Sequence, residues 1–162
     1  MRTKTRRRFA GKARQTFGAI YRRILREESR LAAVTQLSAW RVRGAPVESL
    51  KRLFAEQGRQ VERWLGDLGE RGRAIGVPVR SARPRRGAPA APSGISPAAA
   101  IGELLARHEA IAGDLRVTVE SLQQRDPNGD TTYLLDGLLE FHEMTAGMLR
   151  LILGGPAAPA LG

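Results

Sequence analysis

Residues 78–96 read PVRSARPRRGAPAAPSGIS, and what this stretch cannot form decides the fold. Proline, alanine, glycine and arginine follow one another with neither helical nor strand periodicity, so it is a connection without regular structure of its own. On both sides of it, apolar residues recur at three- and four-residue spacing, the period of an amphipathic helix. Two such helices precede it, separated by the short turn around Gly44 and Pro46, and two follow, separated by Asp126-Pro127-Asn128-Gly129. Short turns make antiparallel neighbours. A long middle link lets the second hairpin pack with a crossover.

The stripes can be named. Phe17, Ile20, Tyr21, Ile24, Leu31, Thr35 and Ser38 predict a first helix that ends near Arg43-Gly44. Pro46 opens a second, lined by Val47, Leu50, Phe54, Val61, Leu65, Leu68 and Ile75 and stopped by Gly76. Ser96-Pro97 is a capping hydroxyl followed by proline, ahead of Ile101, Leu104, Leu105, Ile111, Ala112, Leu115, Val119 and Leu122. Asp130 is the expected cap of a fourth helix, with Leu134, Leu138, Phe141, Thr145, Leu149 and Ile152 on its inner side. The expected organisation is a disordered basic arm over 1–16, an all-α, ferritin-like four-helix bundle over 17–153 with its long crossover at 76–96, and a flexible tail over 154–162. Trp64 falls beside the second stripe and is expected to face a neighbouring subunit.

Charge is sorted along the chain. Before Gly87 there are 23 Lys and Arg against seven acids, a formal +16; from Gly87 onward four Arg face nine acids, a formal −5. Solubility alone does not require such sorting, and acids serve it better than bases, so the pattern points to a polyanionic partner. Arg2, Lys4, Arg6, Arg7, Arg8, Lys12 and Arg14 occur with no acid before Glu27, and Arg80, Arg83, Arg85 and Arg86 form a second cluster in the connection. These eleven residues are the candidate DNA contacts. Arg83-Pro84-Arg85-Arg86-Gly87 is faintly similar to short basic segments that lie in the minor groove. A mitochondrial transit peptide and a membrane surface are the competing readings of the arm.

The absence of cysteine excludes disulfides, thiolate metal sites and cysteine nucleophiles. No apolar stretch approaches the roughly 20 residues needed to span a bilayer. The expectation is a cytoplasmic protein with no membrane partner. No Ser, His and acid fall in a hydrolase arrangement, and no Gly-rich phosphate loop follows a strand.

The order of several motifs resembles the DNA-protecting mini-ferritins called Dps. Ala39-Trp40-Arg41-Val42-Arg43-Gly44 is similar to the family's His-Trp-x-x-x-Gly at the end of its first long helix. Glu70-Arg71 with Ala74-Ile75-Gly76 resembles its Ala-Glu-Arg and Leu-Gly-Gly, and residues 139–150, LEFHEMTAGMLR, are close to a common ending of its fourth helix. Together these motifs span most of 17–153. The resemblance implies a homo-oligomeric shell, a dodecamer, that binds double-stranded DNA non-specifically and associates with the nucleoid.

It also implies an iron-oxidising centre of two His, one or two Asp and one Glu, and here the chain departs from the family. By ungapped spacing the two His positions fall on Ala39 and Lys51, the acids on Ala55 and Gly66, and Glu70 alone survives as a vestigial ligand. A family acid near the start of the fourth helix corresponds to Tyr133. One carboxylate does not hold two cations that each want several ligands. The resulting expectation is a DNA-binding, DNA-compacting protein without catalytic residues, metal or cofactor. The alternatives are an active iron-oxidising and iron-storing mini-ferritin, and a scaffold for another polyanion. His108, on the third stripe, is expected to be a core or interface residue with one ring nitrogen bonded to a neighbour, and His142 to be structural.

Overall fold

A computed structural model describes residues 2–44, 47–78, 94–126 and 129–154, with residues 2–16 through their backbone. Four helices follow in order: α1 (Arg2–Arg41), α2 (Val47–Ala74), α3 (Pro97–Gln123) and α4 (Asp130–Gly154). Among the described residues there is no strand, only one isolated parallel bridge between Val42 and Ile95.

The turns follow from local chemistry. Among the described residues Gly44 and Gly76 are the two glycines with positive φ, at 99° and 73°, where an L side chain would be strained. At the end of α2, Val77 N–H donates to the Gly72 carbonyl (2.8 Å) and Gly76 N–H to that of Arg73 (3.1 Å), the paired bonds of a Schellman stop. At the start of α3, the Ser96 hydroxyl accepts from Ala99 N–H at 3.2 Å and Pro97 occupies the first turn. Asp130 is the first helical residue of α4 and not its cap. Its carboxylate instead accepts from Arg71 Nη1 of α2 at 2.9 Å, while Arg71 Nε donates to Thr131 Oγ1 at 2.7 Å.

The helices run up, down, down, up. Arg23 of α1 pairs with Asp114 of α3 at 2.5 Å, and Tyr21 O–H donates to the Leu68 carbonyl of α2 at 2.9 Å. The far end of the crossover returns to the C-terminal end of α1: Arg43 N–H donates to the Ile95 carbonyl and Ile95 N–H to that of Arg41, both at 3.0 Å. Leu31, Phe54, Val61, Leu68, Leu104, Leu115, Leu135, Leu138 and Leu149 are fully enclosed between the helices. Burial pushes the Tyr21 phenol up to about 12, an effect that the nearby Arg71 partly opposes.

Three further expectations are corrected. The backbone is helical from Arg2, where an unfolded arm was expected over 1–16. The segment is rich in Arg and Lys, both good helix formers, and a helix already docked from Phe17 onward removes the cost of nucleation. Trp64 is half-buried, with its ring over Gly137 of α4 and 6.2 Å from the Phe141 ring, and its remaining face is open in the single chain. Ile152 is exposed in the single chain, and α4 continues to Gly154. Most of the crossover and the tail, residues 79–93 and 155–162, lie outside the described residues.

Candidate functional site

The bundle core carries a polar chain. Glu28 on α1, His142 on α4 and His108 on α3 are each 0% exposed. They occupy stripe positions on their helices: Glu28 falls four residues after Ile24 and three before Leu31, and His142 four after Leu138 and three before Thr145. His142 Nε2 lies 2.7 Å from Glu28 Oε1, and His142 Nδ1 lies 2.9 Å from His108 Nδ1.

The partners fix the tautomers. A carboxylate at Glu28 accepts the Nε2–H of His142, whose Nδ1 is then a lone pair that accepts the Nδ1–H of His108. Five buried side-chain atoms are without a partner among the described residues, three of them here: Glu28 Oε2 at one end, His108 Nε2 at the other, and Arg107 Nε, next in sequence to His108. The α2 stripe contributes Gln57, also buried, with both amide atoms unpartnered. Buried polar groups without partners are rare and call for an explanation. Desolvation, followed by the repulsion of His142, lowers the His108 pKa to about 3, so this ring is neutral at physiological pH.

Aromatic packing encloses the pair. The Phe141 ring meets His108 edge-on at 5.8 Å and His142 at 5.1 Å. On its other side Phe141 meets Trp64, which lines a shallow groove between α2 and α4 with Asp67, Glu140 and Met144. His108 is therefore a core residue with one ring nitrogen bonded to a neighbour, as its spacing implies. Glu28 is the member that sequence reading passed over, although the break in the α1 stripe between Ile24 and Leu31 marks its position.

The positions that match the family's iron ligands do not assemble a donor set. Ala39 is half-buried, Ala55 and Gly66 are exposed, and a Cβ added at Gly66 would meet nothing within 4 Å. Lys51 donates to Glu48, one turn back on α2, at 3.1 Å. Glu70 is exposed, and Tyr133 lies exposed in the first turn of α4. Of the candidate DNA contacts, Arg2, Lys4, Arg6, Arg7, Arg8, Lys12 and Arg14 lie on the first turns of α1, ahead of its packing at Phe17 and Gly18. Arg80, Arg83, Arg85 and Arg86 lie outside the described residues.

No protein-family model and no curated protein matches the chain by sequence. Solved structures match it by shape. Dps92 of Deinococcus radiodurans superposes with a TM-score of 0.76 at 20% identity, over 90% of each chain. Antigen TpF1 of Treponema pallidum gives 0.78 at 15% identity, over 89% of this chain and 95% of its own. The Dps protein of Vibrio cholerae O1, described as a member of a broad superfamily of ferritin-like diiron-carboxylate proteins, gives 0.74 at 17% identity, over 86% and 90%. The chain has the ferritin-like four-helix fold of the Dps proteins.

Proposed function

We propose that this is a Dps-like protein that binds and compacts double-stranded DNA without reading its sequence, and that it works as a homo-oligomeric shell. The observation that carries this reading is the run Arg2, Lys4, Arg6, Arg7, Arg8, Lys12 and Arg14, with no acid before Glu27, at the start of α1 and ahead of the bundle. Such a segment meets phosphates by releasing condensed counterions, a mode of binding that depends on salt and not on bases. Arg80, Arg83, Arg85 and Arg86 supply a second set of contacts from the crossover. On a dodecamer, as the resemblance implies, each bound segment raises the local concentration of the next, so weak contacts compact the duplex. The protein would then reside with the nucleoid. Iron oxidation at the family's position is not part of this reading, because Ala39, Lys51, Ala55 and Gly66 offer no ligand beside Glu70.

Gel retardation measured beside Fe(II) consumption tests both halves. Replacing the seven N-terminal Arg and Lys by Gln should abolish most retardation at moderate salt and leave helical content unchanged. With ~4–6 phosphate contacts per bound segment, the unmodified protein should show a log–log salt slope of about −4 to −5. Fe(II) consumption should match buffer. Unchanged retardation by the Gln variant would sink the arm as the contact, and saturable iron oxidation would restore the mini-ferritin reading.

A further inference from the structure

We propose that the facing Nδ1 atoms of His108 and His142 form a two-coordinate site for a cuprous ion in the bundle core, with Glu28 as the positioning residue for His142.

The geometry comes first. The two ring centroids are 5.0 Å apart, slightly less than the 2.9 Å Nδ1 separation plus the two ring radii, so the rings meet nearly head-on. Two identical nitrogens aimed at each other are satisfied by one shared proton or by one cation between them. Glu28 biases the pair towards the cation. By accepting the Nε2–H of His142 it leaves Nδ1 as the lone pair, the carboxylate–histidine–metal arrangement that orients a ligating imidazole. His108 is fully buried and donates its Nδ1–H to His142 as a neutral imidazole, so no imidazolium charge opposes the ion. On binding, its proton moves from Nδ1 to the unpartnered Nε2, and no proton is lost from the protein. The single positive charge of the ion then balances the Glu28 carboxylate, which keeps the core neutral overall.

Ligand number selects the ion. Among the described residues no group of three or more His, Asp or Glu could hold a metal, and the chain has no cysteine. Zinc and ferrous iron require additional donors and would bury net charge. A closed-shell monovalent copper ion is satisfied by two roughly collinear imidazole nitrogens. The rings must draw apart until each nitrogen is roughly 2.0 Å from the ion, a typical metal–imidazole distance. Phe141, edge-on to both rings, keeps the site dry.

Anaerobic titration of the full chain with Cu(I) against a chromophoric Cu(I) chelator, with X-ray absorption at the copper edge, tests this. The expected result is one copper per chain, two nitrogen donors, near-linear geometry, and a raised Tm. His108→Leu should lose both the binding and the Tm increase. Glu28→Gln keeps both rings and should retain the stoichiometry with affinity weakened about 10–100-fold, as loss of a ligand's outer partner generally does. Failure of wild-type protein to compete with the chelator overturns the proposal, as does binding that survives His108→Leu. Copper lost instead on Met144→Leu with Met148→Leu would put it on the exposed thioethers of α4 and likewise overturns it. None of these outcomes depends on DNA retardation.

Discussion

His108 is where acid should act first. Its pKa in the fold is lowered to about 3 by desolvation and by the neighbouring His142, against 6.5 for the exposed ring. The unfolded chain therefore takes up a proton as pH falls through 6.5, and the folded chain does not until pH reaches about 3. In that window the unfolded state binds more protons, so stability falls with pH by up to about 1.4 kcal/mol per unit from this one group. Above 6.5 the effect vanishes. The urea midpoint should drop between pH 7 and pH 5, and in His108→Leu the drop should be clearly smaller. At pH 7 the same substitution should cost ~1–3 kcal/mol, since it leaves His142 Nδ1 buried without a donor. Equal acid slopes for the two proteins would show that carboxylates, not this ring, dominate the acid limb.

At the scale of the elements, the stop and start signals around the crossover are the most heavily determined parts of the chain. Ser96 holds the Ala99 N–H, Pro97 fits the first turn, and Ile95 is tied to the end of α1 by two backbone bonds. Ser96→Ala should lower stability by about 1 kcal/mol, seen as a lower urea midpoint with an unchanged m-value. A changed m-value would mean that the crossover end had come loose from α1. These boundaries were legible because Gly, Pro and Ser act locally. The four-helix order was legible because apolar stripes repeat and the middle link is long. The interior was less so. A stripe read only for apolar residues skips Glu28, since a carboxylate enters a core only when something distant in sequence satisfies it, here His142. The helical state of residues 2–16 was missed for a related reason: charge density argued for solvation, while the docked helix that follows favours continuing the turn.

At the scale of the whole molecule, the single chain leaves apolar surface that a bundle of this size does not usually show. Trp40 is 63% exposed at the end of α1, and Leu151 is 78% exposed beside Ile152 and Leu153 at the end of α4. Met144, Met148 and Val117 add to it. Leu151, Ile152 and Leu153 are consecutive and all exposed, and contiguous exposed apolar surface marks an interface more often than a free surface. The chain's opposite-signed halves give copies a favourable charge pairing that a uniformly basic protein would lack. Purified protein should therefore scatter light as a stable oligomer at micromolar concentration. Leu151→Lys, which alters no buried contact within the chain, should shift it to smaller species and weaken DNA compaction more than it weakens the first DNA contact. That split matters, because compaction relies on many N-terminal segments held on one particle whereas a single contact does not. A monodisperse monomer that still compacted DNA would separate the two and leave the basic segment acting alone.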